Sequence, residues 1–350
     1  MKMQKMLGSV LALMISGQAL AVQIWTTGNT ANVSRTTQFG LCLAGGGSDD
    51  EWSGGWKHML SRSGGGDVVV IRADGRRGGY ESFIYSDDGN HGFQTVDSVT
   101  TILIESASDA NSTQVETLVR DAEMLFFAGG DQWLYINWFR NSKLASAVSY
   151  LMTTKKVPVG GTSAGMALLA GIDYTARYLS PSPNKDLVDT ADVINDPTGN
   201  FVDLDRSVIT PPFMSQVVTD THFSERDREG RLVGFMARAD YNWSDISYSN
   251  IKAIASDEGT AVCIDNAGYA KVYGYGYGFF LKGNKPIERI QSGKSLDWYG
   301  GRQAVKAYVV RGSLGGAGSF NMNNWTGTGG STEYWWVDGY NERRPRFGIN

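Results

Sequence analysis

The chain has 350 residues, enough for one large domain or two modest ones. Hydrophobic residues make up 41% and charged residues 19%, with 44 Gly and 8 Pro, a globular composition that excludes disordered, collagen-like and coiled-coil classes. With 32 Lys+Arg against 36 Asp+Glu the formal charge is -4, so there is no basic footprint for nucleic acid, and two Cys exclude a disulfide scaffold or a Cys-rich zinc site.

Residues 1–21 read as a secretory signal peptide. A basic start (Lys2, Lys5) is followed by an apolar run from Met6 to Ile15 and an Ala-x-Ala end, with cleavage expected after Ala21. The run is too short to span a bilayer, and no later stretch is long and apolar enough to do so. The protein is therefore expected to be exported, to the periplasm or beyond, with no membrane span. Export would let Cys42 and Cys263 form a persistent disulfide. Both lie in apolar strand-like runs, and two buried free thiols remain the other reading.

Five short apolar runs follow: Leu41–Ala44, Val68–Ile71, Thr100–Ile104, Met124–Ala128 and Val157–Gly160. They read as buried strands of a parallel sheet. Between them, 111–120 and 132–151 carry apolar residues at helical spacing. Strand and helix in alternation predict an α/β fold with helices on both faces. The site is then expected at the carboxyl ends of the strands, where Gly-rich turns follow Ala44 and Ala128. The stretch 180–212 is rich in Asp, Asn, Pro and Ser and reads as an inserted loop. Strand-like runs resume at 216–219, 251–255, 260–264 and 271–273. Beyond Asn284 the pattern thins, so residues 22–310 are taken as the catalytic domain and 311–350 as a C-terminal extension.

Four segments carry chemistry. Gly161-Thr162-Ser163-Ala164-Gly165 is a G-x-S-x-G sequence between an apolar strand and an apolar helix. A Ser on such a turn projects its hydroxyl over the sheet, and small residues two places away let strand and helix approach. An ordinary turn with Ser as N-cap is the alternative. Ala128-Gly129-Gly130-Asp131-Gln132 ends another buried strand. An N–H of this two-glycine turn, paired with that of Ala164, could form an oxyanion hole, and Gln132 could bind substrate; a plain turn with Asp131 as helix cap is the competing reading. Asp220-Thr221-His222 follows a third strand. Of His58, His91 and His222, the last alone has the strand-end context of a general base for Ser163. Arg226, Arg228 and Arg231 follow, either as carboxylate binders or as members of helix-surface ion pairs. Finally Ser256-Asp257-Glu258-Gly259-Thr260 offers two acids, either of which could orient the imidazole.

Together these segments resemble the S51 serine peptidase family, in its cyanophycinase branch, over roughly residues 39–310. The resemblance rests on Gly-Gly-Asp-Gln (129–132), Gly-Gly-Thr-Ser-Ala-Gly (160–165), Asp-Thr-His-Phe (220–223) with its arginines, and Asp-Glu-Gly-Thr-Ala (257–261). It implies a flavodoxin-like three-layer sandwich with a mostly parallel central sheet, related to class I glutamine amidotransferases. It implies a triad of Ser163, His222 and Glu258, and an oxyanion hole from Gly130 and Ala164. Gln132, Asp220, Arg226, Arg228 and Arg231 would line the pocket. Thr221 stands where such proteins usually carry Gln, and Ser256 where an apolar residue is commoner.

The expected activity is hydrolysis of cyanophycin, or of aspartyl dipeptides, through an acyl-enzyme. No metal or cofactor is expected, because there is no H-E-x-x-H sequence or Cys/His cluster. The expected partner is a peptide or polymer containing aspartyl units, not nucleic acid, with a homodimer as the candidate oligomer. An α/β-hydrolase esterase also fits the elbow but orders its triad Ser, acid, His. A non-catalytic binding protein on the same fold is the reading from another class.

Overall fold

The computed structural model describes residues 21–182, 187–340 and 345–350. The expected signal peptide lies outside the described residues but for its last position, Ala21. Among the described residues two sheets form, of ten and eight strands, numbered here in chain order.

The first sheet runs, in spatial order, β1 (Gln23–Gly28), β4 (Ser98–Leu103), β3 (Asp67–Arg72), β5 (Met124–Phe127), β6 (Pro158–Thr162), β2 (Gly40–Ala44), β11 (Thr260–Asp265), β12 (Tyr269–Gly274), β15 (Ala317–Asn321) and β16 (Thr326–Thr328). The five apolar runs read from sequence are β2 to β6, and they form one parallel block, β4-β3-β5-β6-β2. Their side chains are buried on both faces, as parallel strands require. In β2, Leu41 and Leu43 face one core while Cys42 and Ala44 face another. On either side of the block the pairing turns antiparallel, at β1 and from β11 to β16.

The second sheet runs β18 (Arg346–Ile349), β17 (Ser331–Asp338), β14 (Val305–Arg311), β13 (Tyr277–Gly283), β10 (Lys252–Ser256), β9 (Val217–Asp220), β7 (Ile172–Tyr174) and β8 (Leu204–Arg206). Only β10-β9 and β9-β7 pair in parallel. The α/β class stands, but both sheets are mixed, so the mostly parallel sheet expected from the resemblance is corrected. The antiparallel strands include hairpins such as β11–β12 and β15–β16, whose short turns allow no helical crossover.

Three apolar clusters fill the layers. Trp52, Trp56, Met59 and Leu60 cover one face of the first sheet. Its other face shares a core with the helices Gln132–Phe139 and Lys143–Tyr150 and with Ile254, Phe280 and Val310 of the second sheet. The outer face of the second sheet packs on the helix Glu229–Asn242. The single helical pattern read at 132–151 is two helices. Asn141 adopts a left-handed φ of 54°, and Ser142 caps the second helix by accepting the Ala145 N–H at 3.0 Å. In the 180–212 stretch a helix, Thr190–Asn195, and β8 appear where composition suggested a loop. Val193, Ile194, Val202 and Leu204 are buried there. Residues beyond 311 add β15 and β16 to one sheet and β17 and β18 to the other.

Candidate active site

Ser163 follows β6 directly and begins the five-residue helix Ala164–Leu168. Its backbone sits at φ 53°, ψ −115°, a conformation that costs a non-glycine residue about 1–3 kcal/mol. The surround that holds it is tight. A Cβ on Gly165 would lie 2.1 Å from the Phe127 carbonyl oxygen, and one on Gly161 would lie 2.4 Å from the Gly165 carbonyl oxygen. Both glycines of the G-x-S-x-G sequence are therefore required by close backbone approach. The Ser163 N–H donates to Ala44 O at 3.0 Å, fixing the turn to the end of β2.

His222 lies two residues beyond β9, also with positive φ, 46°. Its N–H donates to Gly45 O at 2.7 Å. Its ring lies over Gly46, where any Cβ would stand 2.2 Å from Cε1. His222 Nε2 is 2.7 Å from Ser163 Oγ, and Nδ1 is 2.5 Å from Glu258 Oε1. A carboxylate only accepts, so Nδ1 carries the hydrogen and Nε2 accepts from the serine hydroxyl. Burial is the largest influence on His222 and lowers its pKa below the ordinary 6.5; the Glu258 hydrogen bond opposes it, and Arg226 and Arg228 add to it. The imidazole is thus neutral at pH 7 and able to take a proton.

The two candidate acids separate clearly. Glu258 reaches the imidazole. Asp257 is buried and accepts the Ser224 N–H at 3.0 Å and the Tyr277 N–H at 2.8 Å, bracing the turn between β10 and β11. The Gly259 N–H donates to Gly46 O at 2.8 Å, and the Glu258 N–H to Glu225 Oε1 at 3.1 Å. The order along the chain is Ser, His, acid, which differs from that of the α/β-hydrolases. His58 and His91 lie elsewhere, beside Tyr273 and Asp50 respectively.

Gly130 follows β5 at φ 146°, with a Cβ position 3.1 Å from Asp74 Cβ. A Cβ on its neighbour Gly129 would lie 3.5 Å from Ser163 Cβ, so this turn flanks the serine. The Ala164 amide is the first of its helix and has no intrahelical acceptor. Asp131 caps the following helix through the Trp133 N–H at 2.8 Å. Gln132 is half-buried, and its Nε2 donates to Tyr174 O, leaving Oε1.

The remaining expected pocket residues divide in two. Arg226 is exposed, with Nη2 3.8 Å from Glu258 Oε1. Asp220, Arg228 and Arg231 are buried beneath the site. Arg231 grips Asp220 with both ends of its fork, Nε to Oδ2 at 2.9 Å and Nη2 to Oδ1 at 2.5 Å. Its Nη1 donates to Val188 O at 2.8 Å. Arg228 lies 3.5 Å from Asp220 and donates to Thr221 O at 2.7 Å; burial lowers its pKa to about 10 against the pull of Asp220. Asp220 also accepts the Thr221 N–H at 2.9 Å. Rather than lining an open pocket, these three hold the backbone of Thr221, next to His222. Sequence reasoning missed Glu225, Asp74 and the specific task of Gly46, of which only the Gly45-Gly46-Gly47 run left a signal. Among the described residues no group of three or more His, Cys, Asp or Glu could hold a metal ion, and no helix is long and apolar enough to cross a membrane.

No protein-family model matches the sequence. The chain is 22% identical over 173 residues to the cyanophycinase of Nostoc sp. (strain PCC 7120), a match covering 49% of each chain. It is 25% identical over 244 residues to the cyanophycinase of Synechococcus elongatus, covering 68% of this chain and 66% of that one. The match to the Nostoc protein thus spans about half of its length. Among solved structures, a peptidase from an acI-B1 Actinobacterium superposes with a TM-score of 0.49 at 16% identity, over 74% of this chain and 97% of that one. By sequence the chain is cyanophycinase-like, in line with the S51 resemblance of its four motifs.

Proposed function

We propose that this chain is an exported serine-type peptidase that hydrolyses cyanophycin, multi-L-arginyl-poly-L-aspartate, to β-aspartyl-arginine dipeptides. The observation that carries this reading is the unbroken line from Ser163 through His222 to Glu258, at 2.7 and 2.5 Å. The name of the sequence relatives supplies the substrate class.

Ser163 Oγ attacks the scissile carbonyl as its proton passes to His222 Nε2, and Glu258 stabilises the imidazolium through Nδ1–H. The N–H groups of Gly130 and Ala164 receive the oxyanion. The tetrahedral intermediate collapses, the C–N bond breaks, and His222 returns the proton to the leaving amine. Water then attacks the Ser163 ester with His222 again as base, which releases the acid and restores the hydroxyl. We assign Arg226 to a substrate carboxylate and Gln132 Oε1 to a substrate N–H. Asp220, Arg228 and Arg231 act as positioning residues through Thr221. Work outside the cytoplasm is supported by the N-terminal pattern and by the Cys42–Cys263 bridge, because disulfides persist in oxidising compartments.

The test incubates purified wild-type protein and Ser163→Ala with insoluble cyanophycin and reads soluble products by mass spectrometry. Release of β-aspartyl-arginine by wild type and none by the variant is expected. Cleavage of α-aspartyl dipeptides with cyanophycin left intact would replace the substrate with that of a dipeptidase. No cleavage of either, and no labelling of Ser163 by a fluorophosphonate, would overturn the peptidase reading in favour of a binding protein.

A further inference from the structure

The two segments whose purpose the sequence left open meet at one place. An open cavity of about 640 Å³ lies between the helix Thr190–Asn195, the Arg226–Asp227 turn and the start of β18. That volume is in the range of small-molecule clefts. The 180–212 stretch and the C-terminal strand each supply a wall. Gly230 lets the walls meet, because a Cβ there would stand 2.4 Å from Thr190 Cγ2 and 3.1 Å from Phe347 Cγ. Thr190 Oγ1 donates to Asp227 O at 2.6 Å, tying the turn to the helix.

The cavity adjoins the catalytic line. Arg226 lines it and also lies 3.8 Å from Glu258 Oε1. Its charge is mixed. Arg346 on one side has no carboxylate within 4 Å among the described residues, and the same is true of Asp227 for cations. Phe347 also lines the cavity, and an aromatic ring is the kind of surface on which a guanidinium stacks. A ligand that satisfies both charges carries a carboxylate and a guanidinium. Each arginyl branch of cyanophycin carries both, at its α-carboxyl and its side chain.

We propose that this cavity is a second substrate subsite, which holds an arginyl branch neighbouring the one under cleavage. Arg346 takes its carboxylate and Asp227, backed by Phe347, its guanidinium. The inference rests on the cyanophycin reading above for the identity of the ligand. It gives the enzyme a grip on the polymer that a single dipeptide unit cannot use, so it raises apparent affinity through a second linked contact without altering the chemical step.

Two measurements on the full chain test it. Kinetics compare wild type, Arg346→Glu and Asp227→Lys on soluble cyanophycin and on a short substrate with one β-aspartyl-arginine unit. Both altered side chains are exposed, so folding is expected to survive. The expected result is a rise of about tenfold in KM for the polymer, kcat within twofold, and an unchanged short substrate. Unchanged polymer KM in both variants overturns the subsite while leaving the peptidase reading intact. The second measurement needs no cleavage. Hydrogen exchange of Ser163→Ala with and without cyanophycin is expected to show protection at 189–194 and 345–349, lost in the Ser163→Ala/Arg346→Glu chain. Absence of that protection overturns the proposal even if the polymer is cleaved. Its presence in a protein whose wild type cleaves nothing would keep the subsite and sink the enzyme.

Discussion

Ser163 is held in a conformation its side chain disfavours, and the cost is met by the closeness of β6, β5 and the helix after the turn. That makes Gly165 a sensitive probe. In Gly165→Ala the new methyl would lie 2.1 Å from a backbone oxygen of Phe127, so strand or helix must move. The expected loss is about 1–3 kcal/mol of stability, read by urea denaturation. A fall in kcat of about a hundredfold should accompany it, since a displacement near 1 Å at the proposed nucleophile has that effect. At His222 the sign of the pH dependence follows from burial. The folded-state pKa lies below 6.5, so the imidazole remains a base as the pH falls below that value. More than half of the activity should therefore remain at pH 6.5, with kcat/KM rising with pH through a midpoint below 6.5. A midpoint at or above 6.5 would contradict the burial argument. The acids offer a paired comparison: Glu258→Gln should lower kcat by about 10⁴ by supplying the wrong partner to Nδ1–H, whereas Asp257→Asn should act mainly on stability. The site motifs were legible because glycines and a strand end mark them locally. The local sequence left Asp257 and Glu258 both open, because adjacent residues on a turn point opposite ways, and only the family resemblance pointed to Glu258.

The strands of the parallel block were also legible, since burial on both faces leaves unbroken apolar runs such as Val68–Ile71. β14 to β18 were not. Sequences such as Ala317-Gly-Ser-Phe-Asn321 alternate weakly and carry Gly, and their pairing is set by partners far along the chain. The break at Asn141 escaped for a similar reason: the apolar spacing continues through it, and only the cap at Ser142 marks the new helix. The arginines after His222 show the same limit at the level of an element. Interleaved charges suggested a solvated helix face or a pocket, yet Arg228 and Arg231 turn inward to Asp220 because β9 ends with a buried carboxylate beside them. Arg231→Met would leave Asp220 charged and buried without its fork, with an expected cost of about 3–5 kcal/mol in chemical denaturation. The double variant Asp220→Asn/Arg231→Met should recover part of that loss, because the stranded carboxylate is gone while buried Arg228 keeps only its bond to Thr221 O. If the single and double variants were equally unstable, packing rather than charge would be the source.

The whole molecule is joined at the seam where the parallel block meets its antiparallel extension. There β2 pairs with β11, and Cys42 and Cys263 stand directly opposite each other, bridged across a separation of 221 residues. The two strands lead to different halves of the site. β2 runs into Gly45 and Gly46, the shelf under His222, while β11 starts just after Glu258. The bridge therefore constrains in the unfolded chain a closure that the native state needs between His222 and Glu258. Replacing both cysteines, Cys42→Ala with Cys263→Ala, should lower stability by about 2–5 kcal/mol. Activity at 25 °C should change less, because the seam keeps its ladder, including the Gly45 N–H to Thr260 O bond at 2.9 Å, and His222 keeps its bond to Gly45 O. The two effects separate in one experiment, in which kcat is measured at 25 °C and the half-life of activity is followed at rising temperature. A variant with normal kcat and a shortened half-life at high temperature is the expected result. A loss of kcat at 25 °C with unchanged stability would instead mean that the bridge sets the distance between His222 and Glu258 directly, rather than holding the seam together against unfolding.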